Sequence, residues 1–216
     1  MVARQLWPIA GEKPRRGGLL NSVLRHPALI LAALGIVSGS LGNYVPGPGI
    51  GDASHAGFHM MLAGVWFGLV VAFGVWHWGN RSWGAAATAF AATWAGWELA
   101  VNLVMQLNEH WLEAVAVPEA LRMYVSGFAA GGIGAFLTWA GVAVFTPRLR
   151  PTVMPVGVVA TGALLGLLLP FTNHYDNAAI LLLPWQASIA AILGHGLAPE
   201  FVQRRSDISD DAVAFR

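Results

Sequence analysis

Residues 83–113 read WGAAATAFAATWAGWELAVNLVMQLNEHWLE, and the fold turns on this stretch. Positions 83–107 carry one formal charge, Glu98. At about 1.5 Å of rise per residue such a run crosses the roughly 30 Å of bilayer hydrocarbon as a helix. Its end, Asn108-Glu109-His110-Trp111-Leu112-Glu113, is abruptly polar and places Glu109 and Glu113 four residues apart, on one helical face.

Outward from this run the whole chain has the same character. Of 216 residues, 56% are hydrophobic and 11% charged, against about 25% charged in a soluble domain. The expected fold class is all-α: a polytopic integral membrane helical bundle. Apolar runs predict six spans, at about 27–44, 55–78, 83–107, 121–145, 152–171 and 177–197. Helix-breaking turns separate them, notably Pro-Gly-Pro-Gly at 46–49 and Thr146-Pro147-Arg148-Leu149-Arg150-Pro151. Residues 1–26 read as a basic cytoplasmic lead-in, 27–199 as the membrane domain and 200–216 as a polar cytoplasmic tail.

With six spans and the N-terminus inside, 11 of the 12 basic residues fall on one side and only Arg122 on the other. The positive-inside rule makes the first side cytoplasmic, so both termini are expected there. In a bacterial-type inner membrane the opposite face is periplasmic. Net charge is +1 with no basic face, which excludes nucleic acid as a partner. The absence of cysteine excludes disulfides, thiolate metal ligands and cysteine nucleophiles. The expected partners are the lipid bilayer, an apolar or lipid-like small molecule, and further copies or partner subunits.

Three loops are expected to carry polar side chains to the periplasmic face. Asp52, His55 and His59 have i, i+3, i+7 spacing at the start of the second span. Glu109, His110 and Glu113 close the third, and His174 with Asp176 close the fifth. Imidazole and carboxylate together suit copper, iron or zinc, so these eight residues are the candidate metal ligands. The plainer alternative is that they cap helix ends and meet water.

Glu98 stands apart, mid-span in Trp94-Ala95-Gly96-Trp97-Glu98, with Asn102 and Gln106 following at four-residue steps. An intramembrane carboxylate is costly and therefore a functional-site hypothesis. Glu98 and Asn102 are the candidate catalytic pair, handling protons, and Trp94, Trp97 and Gln186 the candidate substrate-binding residues. The alternative is a structural polar contact between helices. Pro184-Trp185-Gln186 is expected to kink the sixth span beside Glu98. His77 lies in Trp76-His77-Trp78 as an interfacial anchor. A di-haem arrangement through His59/His174 and His77/His195 would put its two haems at opposite ends of the bilayer.

At 108–118, Asn-Glu-His-Trp-Leu-Glu-Ala-Val-Ala-Val-Pro, preceded by Gly51-Asp52-Ala53-Ser54-His55, the chain locally resembles the C subunit of copper membrane monooxygenases. That family oxidises methane or ammonia and places Asp, Asn and His copper ligands at such helix ends, so the resemblance implies copper. Two departures stand against it. Asn108 and His110 are two apart where the family has four, and Arg122 lies where a later His is expected.

The expected function is a metal-dependent membrane enzyme, oxidative rather than hydrolytic. The site opens to the periplasm and reaches down to Glu98. Two alternatives use the same residues: a metal-ion or proton-coupled transporter, and a metal-free enzyme in which Glu98 is the acid acting on a lipid or isoprenoid among tryptophan faces.

Overall fold

A computed structural model describes residues 26–44, 63–79 and 81–214; side chains at Ala63, Glu109 and 199–214 lie outside that description. Every regular element among the described residues is helical: α1 Pro27–Tyr44, α2 Ala63–Trp78, α3 Trp83–Gln106, α4 Glu119–Ala143, α5 Val153–Gly166, α6 Leu169–Tyr175 and α7 Ala179–Ala214. Four segments within them are long and apolar enough to cross a membrane: Pro27–Tyr44, Glu119–Ala143, Val153–Tyr175 and Ala179–Ala198. The stretch Gly64–Trp78 is also apolar but shorter. α3 has the length, and its Glu98, Asn102 and Gln106 lower its hydropathy.

Glycine sets the neighbours. A Cβ on Gly35 or Gly39 of α1 would strike the α7 backbone at 186–187 or 182–183, and one on Gly194 would strike Ala28. These contacts run antiparallel over most of α1. Gly64 and Gly68 of α2 lie against Trp97 and Phe90 of α3. Gly96 of α3 meets Leu137 and Gly134 of α4, and Gly127 and Gly131 of α4 meet Gly166 and Gly162 of α5. Apolar lipid supplies no hydrophobic drive between helices, so close backbone approach at small residues is what holds such a bundle. The tightest core lies between α1, α2, α4 and α7, around Leu31, Phe67, Val75, Val142, Ile189 and Leu193.

One end of the bundle carries Tyr44, Gln106, Glu119 and Tyr175, called here the upper end; the other carries Trp78, Trp83, Ala143 and Val153. Arg81, Arg148 and Arg150 fall at the lower end and Arg122 at the upper. At the lower end Arg150 donates from Nε to the carbonyl of Ala143 (3.0 Å) and from Nη2 to that of Val144 (2.7 Å). Trp139 Nε1 donates to the Leu149 carbonyl at 2.7 Å. Cationic and indole donors thus meet the carbonyls that every helix C-terminus leaves open.

Two elements differ from expectation. The fifth span is expected unbroken, yet α5 and α6 are separated at Leu167–Leu168. Pro170 has no N–H to give the Gly166 carbonyl, and Leu167 and Leu168 tighten to i−3 bonds on Leu164 (3.2 Å) and Leu165 (3.0 Å). The polar end of the third span is expected to continue as regular helix with Glu109 and Glu113 on one face, yet it passes into a π-turn, Leu107–Trp111, and a closing turn, Leu112–Ala114. The sixth span ends close to the expected position, at Ala198, and the polar residues after it continue α7 as helix to Ala214.

Candidate functional site

Ser82 starts α3: its hydroxyl accepts from Ala85 N at 3.3 Å, a side-chain N-cap. The alanine-rich run that follows is strongly helix-forming and carries Trp94, Glu98 and Asn102 at steps of four. Glu98 is 6% exposed and Asn102 8%. Trp94 Nε1 donates to Glu98 Oε1 at 2.9 Å, and Asn102 Nδ2 donates to the Glu98 backbone carbonyl at 2.7 Å. The first part of the expected polar stripe is therefore real, and its carboxylate is held from the turn below.

Beyond Gln106 the stripe is diverted. The Leu112 N–H reaches back five residues to the Leu107 carbonyl, so the π-turn inserts a residue and rotates everything after it. Arg122 Nη1 donates to the Asn108 carbonyl at 3.3 Å and lies 3.6 Å from Glu113 Oε2. Arg122 is mostly buried and Glu113 mostly exposed, so the ion pair is largely in solvent and the carbonyl contact is the structural one. Asn108 Oδ1 is buried without a partner among the described residues. His110 and Trp111 are exposed.

At the other upper corner His174 packs edge-on to Tyr175, with centroids 4.7 Å apart. Asp176 takes the left-handed conformation (φ 48°) that ends α6, its N–H bonding the Thr172 carbonyl, a role that Asp tolerates better than most residues. Among the described residues no three His, Asp or Glu side chains gather to hold a metal ion. Asp52, His55, His59 and the side chain of Glu109 lie outside the described residues.

What the described helices do form is a partly open cavity of about 420 Å³ in the upper half of the bundle. Trp97, Val101 and Val104 of α3 form one wall, and Gly127, Gly131 and Gly134 of α4 another. Phe67 and Trp185, edge-on with centroids 5.6 Å apart, close it towards the middle of the bundle. The α5–α6 break contributes Gly166, Leu169, Thr172 and Asn173, and α1 contributes Gly42 and Asn43. The lining is overwhelmingly apolar and the volume falls within the range of small-molecule sites, about 300–1,000 Å³.

Trp97 is the candidate substrate-binding residue that lines this cavity. Trp94 and Glu98 do not. Glu98 follows Trp97 in sequence and sits about 100° round α3 from it, on the face of Trp94 and Asn102. Gln186 is completely buried, with neither amide atom partnered among the described residues, and its backbone carbonyl abuts Gly35 of α1. It stands at the α1–α7 seam, away from the cavity lining. The pocket that the glycines of α4 and α5 open was not read in the sequence. Asn43 and Thr172 carried no signal before the fold placed them beside the cavity. Comparison of the chain with protein-family models, curated proteins and solved structures finds no match.

Proposed function

We propose that this protein is an integral membrane enzyme that takes an apolar or lipid-like small molecule into its upper cavity. The observation that carries this reading is the cavity itself: about 420 Å³, lined by helices that also bury Glu98 one residue from the cavity wall at Trp97. In this reading the bundle has six spans with both termini cytoplasmic, in a bacterial-type inner membrane, and the cavity opens towards the periplasm. Glu98 and Asn102 handle protons on the neighbouring face of α3. A copper, iron or zinc ion held by histidines and carboxylates at the upper end supplies oxidative chemistry. That part depends on Asp52, His55 and His59, since the described candidates alone do not converge.

Elemental analysis of the detergent-purified protein tests the metal. Stoichiometric metal that is lost in His59→Ala supports it. Protein still metal-free after reloading moves the chemistry to Glu98 alone, acting as an acid. Binding is tested separately by Val104→Trp, which fills the cavity from its α3 wall and should abolish retention of an apolar ligand.

The helix break favours a second reading, a transporter. Interrupted membrane helices commonly build transport sites at their broken ends, and the α5–α6 break lines the cavity. Flux in proteoliposomes without product formation selects it.

A further inference from the structure

Resting on the reading that the upper cavity holds a lipid-like molecule, the seam between α1 and α7 bears on how that molecule reaches it. Both helices wall the cavity, α1 with Gly42 and Asn43 and the start of α7 with Leu181 and Leu182. At Gly35 and Gly39 of α1 the contact is with α7 backbone, at 186–187 and 182–183, so no side chains interlock there. Among the described residues one side-chain hydrogen bond joins the two helices. Asn43 Oδ1 accepts from the Ala179 N–H at 3.1 Å, and that N–H is shared with Asn177 Oδ1 at 3.0 Å. Releasing Asn43 therefore leaves the start of α7 capped.

Pro184 separates this first turn from the rest of α7. The N–H groups of Ile180, Leu181 and Leu182 bond to the carbonyls of Asn177 and Ala178, inside the turn itself. Pro184 has no N–H to give the Ile180 carbonyl. Just below, the seam is poorly satisfied. Ser38 is 2% exposed and Gln186 0%, and neither the hydroxyl nor the two amide atoms have a partner among the described residues. Leu31 and Leu193 border one small void, and Ser38 and Gln186 stand seven residues further up the same faces of the two helices. The closed packing leaves hydrogen bonds unmade there, which lowers the cost of shifting α7 against α1. We infer that the ligand passes between α1 and α7 from the bilayer, when residues 179–183 swing about Pro184 and Asn43 releases Ala179. An apolar molecule on this route never has to cross water.

The chain has no cysteine, so engineered pairs can be bridged selectively. The full-length protein in nanodiscs carries Asn43→Cys with Ala179→Cys, joined by a short bis-methanethiosulfonate reagent. Stopped-flow fluorescence follows the entry and release of a fluorescent fatty ester. The bridge is expected to slow both about tenfold or more, as a blocked gate does, and reductant to restore them. A control bridge, Gly132→Cys with Ala163→Cys, spans α4 and α5. A Cβ at Gly132 stands 3.4 Å from that of Ala163, close to disulfide spacing, and this bridge should leave both rates unchanged. Asn43→Ala tests the same route without a bridge. Entry and release should both quicken about fivefold, as loss of one hydrogen bond of ordinary net strength implies, whereas a lost ligand contact would quicken release alone. Unchanged rates in the bridged 43/179 protein, equal slowing by the control bridge, or faster release alone in Asn43→Ala overturns the route and leaves the cavity reading intact. Failure of the ester to bind the parent protein overturns both.

Discussion

Gly127 of α4 and Gly166 of α5 lie face to face, so that a Cβ on either would land on the carbonyl oxygen of the other. Gly131 and Gly162 repeat the relationship one turn further along. The two helices are therefore in backbone contact where α5 breaks, and both members of the first pair also line the cavity. The break and the pocket share one anchor.

A methyl group at this anchor has nowhere to go, since the obstacle is backbone on both sides. Gly127→Ala and Gly166→Ala should each destabilise the protein by about 1–3 kcal/mol, the usual cost of overpacking. Gly157, also in α5, has open space where a Cβ would stand, with nothing within 4 Å, and Gly157→Ala should be neutral or stabilising by up to about 1 kcal/mol. Thermal unfolding in detergent separates the three variants, and equal midpoints would contradict the packing described.

Glu98 accepts the Trp94 indole N–H. Glu98→Gln keeps an acceptor of the same shape and should fold like the parent, whereas Glu98→Leu strands that donor and should cost about 1–3 kcal/mol. If Glu98 also handles protons, Glu98→Gln abolishes turnover or flux while leaving the melting curve in place. A Gln variant that melts as early as the Leu variant would show that the carboxylate is needed for structure.

Arg122 holds the Asn108 carbonyl within the π-turn. Arg122→Ala should free residues 107–114, seen as faster amide exchange across that segment, with a global loss of only about 1–2 kcal/mol. Glu113→Ala removes only the solvent-exposed ion pair and should change exchange there little. Equal effects of the two substitutions would mean that the ion pair, and not the carbonyl contact, stabilises the turn.

Much of the architecture was legible because membrane helices announce themselves by length and hydropathy. The apolar runs at 27–44 and 121–145 fall within two residues of α1 and α4. Glycines at 64 and 68, and at 127 and 131, have the four-residue spacing of close helix packing, and each pair faces the following helix. The α5–α6 break was hidden in an unbroken apolar run: Leu167-Leu168-Leu169-Pro170 differs from a continuous helix only by one missing N–H. The π-turn left no mark either, because Leu107–Trp111 has ordinary helix-forming residues and its stabilising partner, Arg122, comes from the next helix.

The site divided along the same line. Glu98 was visible as a charge in an apolar run, and its burial agrees with that reading. The cavity was not visible, since its walls are the same Gly, Val, Leu and Trp that pack any bundle. Only tertiary placement distinguishes Trp97, which faces the space, from Trp94, which holds Glu98.

The central claim is that a lipid-like molecule occupies the upper cavity, and site-resolved photolabelling tests it most directly. A diazirine-bearing fatty ester is added to the protein in nanodiscs, and the labelled residues are mapped by mass spectrometry. Label on Trp97, Val101 and Leu181, competed by unlabelled ester and lost in Val104→Trp, is the predicted result. Label confined to outward-facing residues such as Leu99, Phe136 and Leu164, which are 45–61% exposed, and indifferent to competitor, would contradict the account.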